Sequence, residues 1–170
     1  MTEPSETPLV RKLGIRPGAR VAALCPPAGF TELLGDLPPD ARLVRWPQRH
    51  SDVIVVFATA FADLDSRFAE ALPALAVDGG LWICYPKRAS GVVTDLTFDK
   101  VQHLGLAAGL VDNKGAAIDA TWSGLRFVVP LASRPTWAAA HVSASRRGRR
   151  GAIGDRQPSS APRDDPRRRG

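Results

Sequence analysis

An unbroken apolar strand followed by an amphipathic helix constrains the fold more than any other feature of the sequence. Residues 52–57 read Asp-Val-Ile-Val-Val-Phe, which is the pattern of a strand buried on both faces. In residues 62–75 the apolar side chains recur at the period of one helix face, at Leu64, Phe68, Leu72 and Leu75. This combination predicts a sheet that lies between two layers of helices.

The same alternation runs through residues 8–134. We predict further strands at 20–25, 41–46, 81–85, 110–118 and 125–131, and further helices at 8–14, 28–34 and 98–108. Strands that alternate with helices form right-handed parallel crossovers, whereas a short polar segment joins the last two strands as a hairpin. The predicted fold is therefore α/β and Rossmann-like: a mostly parallel sheet with a C-terminal antiparallel hairpin and helices on both faces.

One connection does not fit this pattern. Residues 47–52 are too few for the dozen or more residues that join neighbouring parallel strands. Either the strand at 41–46 is an antiparallel edge, or an extended link of about 20 Å carries the chain across the sheet to a non-adjacent position. The sequence leaves both arrangements open.

Charge and composition divide the chain into three parts. Residues 1–134 contain 14 Lys and Arg against 14 Asp and Glu, so the net charge of +6 belongs to residues 135–170, with 9 Arg and 3 Asp. We expect residues 1–7 to be a flexible leader and residues 8–134 to be the Rossmann-like domain. Residues 135–170 should be a disordered Arg/Ala/Pro/Ser-rich basic tail, since they cannot bury a core, with Trp137 contacting the domain at its start.

The sequence also argues against a disulfide framework, a metal site, a signal peptide and a membrane span. Cys25 and Cys84 adjoin apolar strands, so we expect two buried thiols rather than a disulfide framework. No metal site is predicted, because the three histidines lack close-spaced ligand partners. The polar N-terminus is not a signal peptide and no apolar run approaches the ~20 residues of a membrane span, so we expect a cytoplasmic protein without membrane contact.

Residues 52–57 and 75–83 resemble the fourth strand and the approach to the fifth strand of class I methyltransferases, and a closing reversed hairpin is typical of that fold. The resemblance implies S-adenosylmethionine held by glycines after the first strand and by an acidic residue that ends the second. Here the first turn reads Cys-Pro-Pro-Ala-Gly at residues 25–29, and two prolines remove amide donors. Because the second strand ends in Arg-Trp-Pro at residues 45–47, no cofactor is predicted.

Residues 8–134 more closely resemble a small uncharacterised family, a domain of unknown function found in high-GC bacteria. The matching phrases span residues 16–21, 86–97, 105–114 and 121–127. This family implies the same fold and brings no established activity. The tail lies outside the resemblance.

Ligands of open α/β sheets bind beyond the carboxyl ends of the parallel strands, where two polar segments are expected. The first follows the strand at 81–85 and offers groups that can hold an anion: Lys87, Arg88, Ser90, Thr94 and Asp95. In the alternative interpretation this segment is a surface loop whose Thr94, Asp95 and Thr97 only cap the next helix.

The second polar segment surrounds the terminal hairpin and consists of Asp112, Lys114, Trp122, Ser123 and Arg126. Pairing of Arg126 with Asp119 or Asp112 as a structural clamp is favoured over catalysis. Trp122 can stack on a ring ligand, although packing over the domain edge is the commoner role of such a residue.

No catalytic residue is predicted, because Ser123 lacks nucleophile-elbow neighbours and no histidine completes a triad by sequence order. The sequence favours a small non-catalytic domain that binds an anionic ligand or a protein partner on a degenerate methyltransferase-like fold. A divergent S-adenosylmethionine-dependent methyltransferase is the alternative. Weak nonspecific nucleic-acid contact through the basic tail is a second alternative.

Overall fold

The computed structural model describes residues 7–138, in which helices cover both faces of a six-stranded sheet. The strands are β1 (Arg20–Leu24), β2 (Arg42–Val44), β3 (Ser51–Phe57), β4 (Leu75–Pro86), β5 (Val111–Ala117) and β6 (Trp122–Val128). The helices are α1 (Leu9–Lys12), α2 (Phe30–Leu34), α3 (Phe61–Ala71) and α4 (Phe98–Ala107). Short 3-10 turns lie at Leu72–Ala74, Arg88–Ser90 and Leu131–Ser133.

The strand order is β2-β1-β3-β4-β6-β5. The first four strands of this order run parallel, and β6 pairs antiparallel with both β4 and β5. The predicted Rossmann-like fold and its antiparallel C-terminal hairpin are therefore confirmed.

β3 shows why the central strands are uniformly apolar. Ile54 and Val56 pack with α3 and α4 on one face, whereas Val53, Val55 and Phe57 pack with α1 and α2 on the other. All five side chains are buried. Helices on both faces leave no solvated side for alternating polar residues, which explains the unbroken run that the sequence shows.

Residues 45–50 carry the chain across the sheet to a non-adjacent position, through bends and a turn rather than in an extended conformation, and the antiparallel alternative is wrong. β2 runs parallel to β1 on one side, and β3 pairs with β1 on the other side. The link must cross two strand spacings, about 10 Å, and return about 10 Å along the strand direction from the level of Val44 to that of Ser51, so its ends are about 14 Å apart. Seven residue steps can reach about 24 Å, so no helix is needed. The Arg20 N–H donates to Asp52 Oδ2 at 2.8 Å and fixes the start of β3 against β1.

The starts of two strands differ from the prediction by three residues or more. β4 begins at Leu75, so residues 78–80 lie inside the strand rather than in a turn before it. A Cβ on Gly79 would lie 2.8 Å from the Asp52 carbonyl oxygen, so this glycine allows a close backbone approach. β6 begins at Trp122, three residues earlier than expected, because the polar start of the strand pairs with the end of β4.

The two cysteines lie in opposite environments. Cys84 is fully buried on β4, and burial raises the pKa of its thiol. Cys25 is exposed at the end of β1, which corrects the prediction of two buried thiols. The apolar run ends at Leu24, and the following turn carries the Cys25 side chain out of the core.

Residues 134–138 are helical, and Trp137 packs against the core beneath α3 and α4. The predicted contact between Trp137 and the domain is confirmed. The rest of the predicted tail, 139–170, and the leader residues 1–6 lie outside the described residues. Of the helices between residues 7 and 138, none is long and apolar enough to cross a bilayer.

Gly105→Ala is expected to destabilise the protein by about 3 kcal/mol because α4 lies directly against β6. A Cβ on Gly105 would lie 2.1 Å from the Phe127 ring, which is fully buried. Helix propensity alone would change stability by about 1 kcal/mol in the opposite direction, so the sign of the effect is diagnostic. The measurement is the free energy of unfolding in urea.

Gly115→Ala on β5 is the matched control, since its Cβ would meet no atom closer than 3.9 Å. We expect it to leave the free energy of unfolding within about 0.5 kcal/mol of the wild-type value. A Gly105→Ala protein as stable as this control would contradict the close packing of α4 on Phe127.

Candidate functional site

A cleft of about 690 Å³ opens at the carboxyl ends of β1 and β2. The chain leaves β1 towards β2 on one side and later returns to β3 on the other, so this is the topological switch point of the sheet. Open α/β sheets bind their ligands at this position, and the volume falls in the range of about 300–1,000 Å³ usual for small-molecule sites.

The floor of the cleft is the turn that follows β1. Cys25 has a φ of 50° and Gly29 a φ of 85°, so both adopt the left-handed conformation that favours glycine. Pro26 and Pro27 have no N–H, and the Phe30 N–H donates to the Pro27 carbonyl oxygen at 3.1 Å. The turn therefore offers an apolar, bent surface with few backbone donors.

The walls of the cleft carry an exposed aromatic side chain and charges of both signs. Trp46, just beyond β2, is 71% exposed and lines the opening. Arg45 lies beside it, and Glu32 and Glu70 face the cleft from α2 and α3. Arg67 also lines it and donates from Nη1 to the Phe57 carbonyl oxygen at 2.7 Å, which fixes one cation at the rear wall.

The first predicted site segment lies at the end of β4 and folds around its own backbone. Ser90 Oγ donates to the Lys87 carbonyl oxygen at 2.6 Å, and Arg88 is exposed. Thr94 Oγ1 donates to the Thr59 carbonyl oxygen. Asp95 Oδ1 accepts the N–H of the first residue of α3 at 2.8 Å. Thr94 and Asp95 therefore hold the segment at the start of α3. Their hydrogen bonds join residues that are 35 and 34 positions apart in the sequence.

The start of the terminal hairpin lies next to this segment. The Lys87 N–H donates to the Thr121 carbonyl oxygen at 2.8 Å. Trp122 is half-buried and packs edge-on against Phe57 with ring centroids 5.2 Å apart. Ser123 hydrogen-bonds the Tyr85 side chain, although burial is the larger influence and raises the pKa of that phenol. The structure therefore brings Lys87 and Trp122 to one edge of the sheet.

The remaining predicted residues lie elsewhere on the hairpin. Both carboxylate oxygens of Asp112 accept from Gln102 Nε2 of α4 at 3.4 Å. Lys114 Nζ donates to the Lys12 carbonyl oxygen at 3.2 Å. Arg126 Nη1 donates to Asn113 Oδ1 at 3.3 Å, so the predicted clamp with Asp112 or Asp119 does not form. Asp119 instead accepts the N–H groups of the hairpin turn.

None of the ten predicted site residues lines the cleft, and their role in binding stays a prediction. The sequence drew attention to two parts of the cleft, the turn at residues 25–29 and the Arg-Trp-Pro end of β2, but only as departures from a cofactor site. It did not predict that α2 and α3 complete the walls, because those residues come from separate parts of the chain. Within residues 7–138, no three His, Cys, Asp or Glu side chains gather as metal ligands would.

Cys25→Gly is expected to stabilise the protein by about 1 kcal/mol relative to Cys25→Ala. The left-handed conformation costs a residue with a Cβ about 1–2 kcal/mol, and glycine relieves that cost while adding some entropy to the unfolded chain. Urea unfolding of the two variants measures the difference, and the alanine variant controls for loss of the thiol. Equal stability of the two would contradict the strained backbone at Cys25.

Comparison with solved structures identifies the fold. The chain is similar to a SAM-dependent methyltransferase from Aquifex aeolicus, with a TM-score of 0.51 at 11% identity over 72% of this chain and 88% of that one. It is also similar to the PH0226 protein from Pyrococcus horikoshii OT3, with a TM-score of 0.50 at 11% identity over 72% of this chain and 87% of that one.

A third similar structure is the mitomycin 7-O-methyltransferase MmcR, with a TM-score of 0.50 at 12% identity over 66% of this chain and 49% of that one. No family model and no curated protein matches the chain. At these identities the likeness extends to the fold alone. The six-stranded sheet of this chain therefore has the Rossmann-like architecture of class I methyltransferase folds.

Proposed function

We propose that the protein is a small-molecule-binding domain that holds a nucleoside-type ligand in the cleft at the ends of β1 and β2. The observation that carries the proposal is the position of this cleft of about 690 Å³ at the switch point of the sheet. We assign no catalytic residue to it.

An exposed indole beside two prolines suits a flat ring. Trp46 is 71% exposed at the opening, where a planar ligand can stack on its face. The faces of Pro26 and Pro27 provide the opposing apolar surface. Stacking on an aromatic side chain is worth about 1–3 kcal/mol per base, so these groups would supply much of the affinity for a small ligand.

The charges of the cleft suit a ligand that carries hydroxyls and a carboxylate. Glu32 and Glu70 can accept hydrogen bonds from sugar hydroxyls, and Arg45 and Arg67 can bind a carboxylate. A phosphate held by backbone amides fits less well, because two of the five turn residues are prolines without an N–H. A nucleoside or an amino-acid-bearing nucleoside therefore fits better than a nucleotide.

A divergent S-adenosylmethionine-dependent methyltransferase is the second candidate. It is favoured by the location of the cleft in a fold that the Aquifex aeolicus methyltransferase shares. S-adenosylmethionine carries a ring, sugar hydroxyls and an amino-acid group, so it also meets the chemical requirements of the first proposal. We further propose that the protein belongs to the uncharacterised family of high-GC bacteria that its sequence resembles, and that it is located in the cytoplasm. Neither point depends on which of the two candidate functions is correct.

Thermal-shift and calorimetric titration with S-adenosylmethionine, S-adenosylhomocysteine and adenosine test the site. We expect binding of at least one of these compounds, and Trp46→Ala to raise its Kd about 5- to 150-fold, the equivalent of one lost stacking contact. Thr31→Trp, which places a large ring in the cleft wall, should abolish binding. Trp46 and Thr31 are exposed, so neither change should unfold the protein.

Phe98→Ala is the matched aromatic control, since Phe98 is 48% exposed on α4 and does not line the cleft. We expect it to bind as the wild type does. A Kd that Trp46→Ala and Thr31→Trp leave unchanged would place the ligand elsewhere, and failure of all three compounds to bind would overturn the proposal. Methyl transfer to an acceptor from S-adenosylmethionine would be needed to favour the second candidate.

A further inference from the structure

Four cationic side chains gather where α1 ends against the terminal hairpin. We call Lys12, Arg16, Lys114 and Arg126 the basic cluster. Lys114 Nζ reaches the Lys12 carbonyl oxygen at 3.2 Å, and Lys12 Nζ lies 3.5 Å from the Ala117 carbonyl oxygen. Residues more than a hundred positions apart in sequence are thereby brought to one surface.

Two members of the cluster are direct neighbours on adjacent strands. Lys114 of β5 and Arg126 of β6 are opposite each other in the antiparallel register, so their side chains share one face of the sheet. Like charges in this position are destabilising unless an anion lies between them. The nearest described hydrogen-bond acceptor of Arg126 is the neutral Asn113 Oδ1, and those of Lys114 and Lys12 are backbone carbonyl oxygens.

The Arg126 guanidinium is held in place by the fold. It lies across Gly80, where a Cβ would be only 2.4 Å from Nε, so the glycine provides the space for it. Partial burial lowers the pKa of Arg126, and the neighbouring Arg16 lowers it further. The arginine stays charged at neutral pH, but the two guanidinium groups repel each other in the absence of a counter-ion.

We propose that the basic cluster binds the phosphate backbone of nucleic acid, without sequence preference. The proposal is independent of the ligand in the cleft. Guanidinium and ammonium groups attract phosphate and release its condensed counterions, and an array of four on one surface can follow successive phosphates.

A polyanion fits the cluster better than a single small anion. Arg16 and Lys114 are exposed, and the four groups come from α1, the turn after it, β5 and β6, so they form a surface array rather than an enclosing pocket. The chain also contains 9 Arg and 3 Asp in residues 135–170, a second basic segment that can contact the same polymer. Two linked contacts raise the overall affinity because the second binding step is intramolecular.

The basic cluster does not arise simply because the domain has an excess of positive charge. Residues 1–134 contain equal numbers of cationic and anionic side chains, 14 of each, so four cations at one place require an uneven distribution. On the opposite face of the sheet, α3 carries Asp63 and Asp65. A polyanion would therefore be attracted to the face that carries the basic cluster and repelled by these carboxylates on the other.

The full-length chain with Arg16→Gln/Lys114→Gln tests the proposal, because both residues are exposed and the substitutions spare the half-buried Arg126. The measurement is the Kd for a fluorescent duplex DNA of mixed sequence as a function of salt concentration. Loss of two phosphate contacts should reduce the slope of log K against log salt by about 2, which is roughly a 50-fold weaker Kd at 0.1 M salt and nearly equal binding at 1 M.

Arg42→Gln/Lys100→Gln is the matched control, with the same loss of charge from exposed positions on β2 and α4. We expect this control to keep the wild-type slope, because Arg42 and Lys100 lie outside the basic cluster. The basic tail is intact in both variants, so it cannot cause a difference between them. Identical slopes for the two double variants would overturn the proposal.

Poly-glutamate of equal charge and inorganic phosphate are the two further probes. Each probe, and unlabelled duplex DNA, is added to compete with the fluorescent duplex for the protein. If unlabelled DNA displaces the duplex at concentrations far below those of either probe, the result supports a nucleic-acid surface. Equal competition by poly-glutamate would overturn it in favour of an acidic protein segment. If millimolar inorganic phosphate displaces the duplex and DNA binds no more tightly than phosphate does, the proposal would be overturned in favour of a small-anion site.

Discussion

The length of the segment at residues 45–50 determines most of the architecture. Because it is too short to contain a helix, the chain passes directly from β2 to the other side of β1, where β3 begins. β1 is thereby flanked on both sides, and its carboxyl end becomes the switch point. Because this segment forms no helix that could cover the edge of the sheet at β2, Trp46 remains exposed beside that three-residue strand.

The opposite half of the sheet depends on close backbone and side-chain contact. Gly105 lets α4 approach the Phe127 ring, and Gly80 leaves room for the Arg126 guanidinium. The Trp82 indole is fully buried and donates from Nε1 to the Leu13 carbonyl oxygen at 3.1 Å, which anchors α1 to β4. These contacts join the first helix, the central strand and the hairpin, so they also fix the positions of the basic cluster.

Regular patterns in the sequence were sufficient to predict the sheet, and irregular positions were not. The apolar run at 52–57 and the helix period at 62–75 correspond to β3 and α3 within a few residues. Asp78-Gly79-Gly80 has the composition of a turn, yet lies within β4 because Gly79 packs on the carbonyl oxygen of Asp52. Such a contact joins segments that are distant in sequence, so it cannot be predicted from the local composition.

The same limit applies to the sites. Sequence reading placed the polar residues around Lys87 and Trp122 at one edge, and their segments do adjoin there. The cleft needs β1, β2 and α3 together, and the basic cluster needs α1 beside the hairpin, so neither is a pattern along the chain. Single residues such as Trp46 and Arg126 were visible, but their neighbours were not.

The two proposed sites lie far enough apart to be occupied at the same time. The cleft lies at β1 and β2, and the basic cluster involves β5 and β6 at the other end of the strand order. Three strand spacings separate β1 from β6, which is about 14 Å. At that distance in 0.15 M salt, the charges of one site are largely screened from the other. Nucleic acid on Lys114 and Arg126 would therefore leave the cleft open, and communication between the sites can pass through α1, which carries Lys12 and packs with α2 at the wall of the cleft.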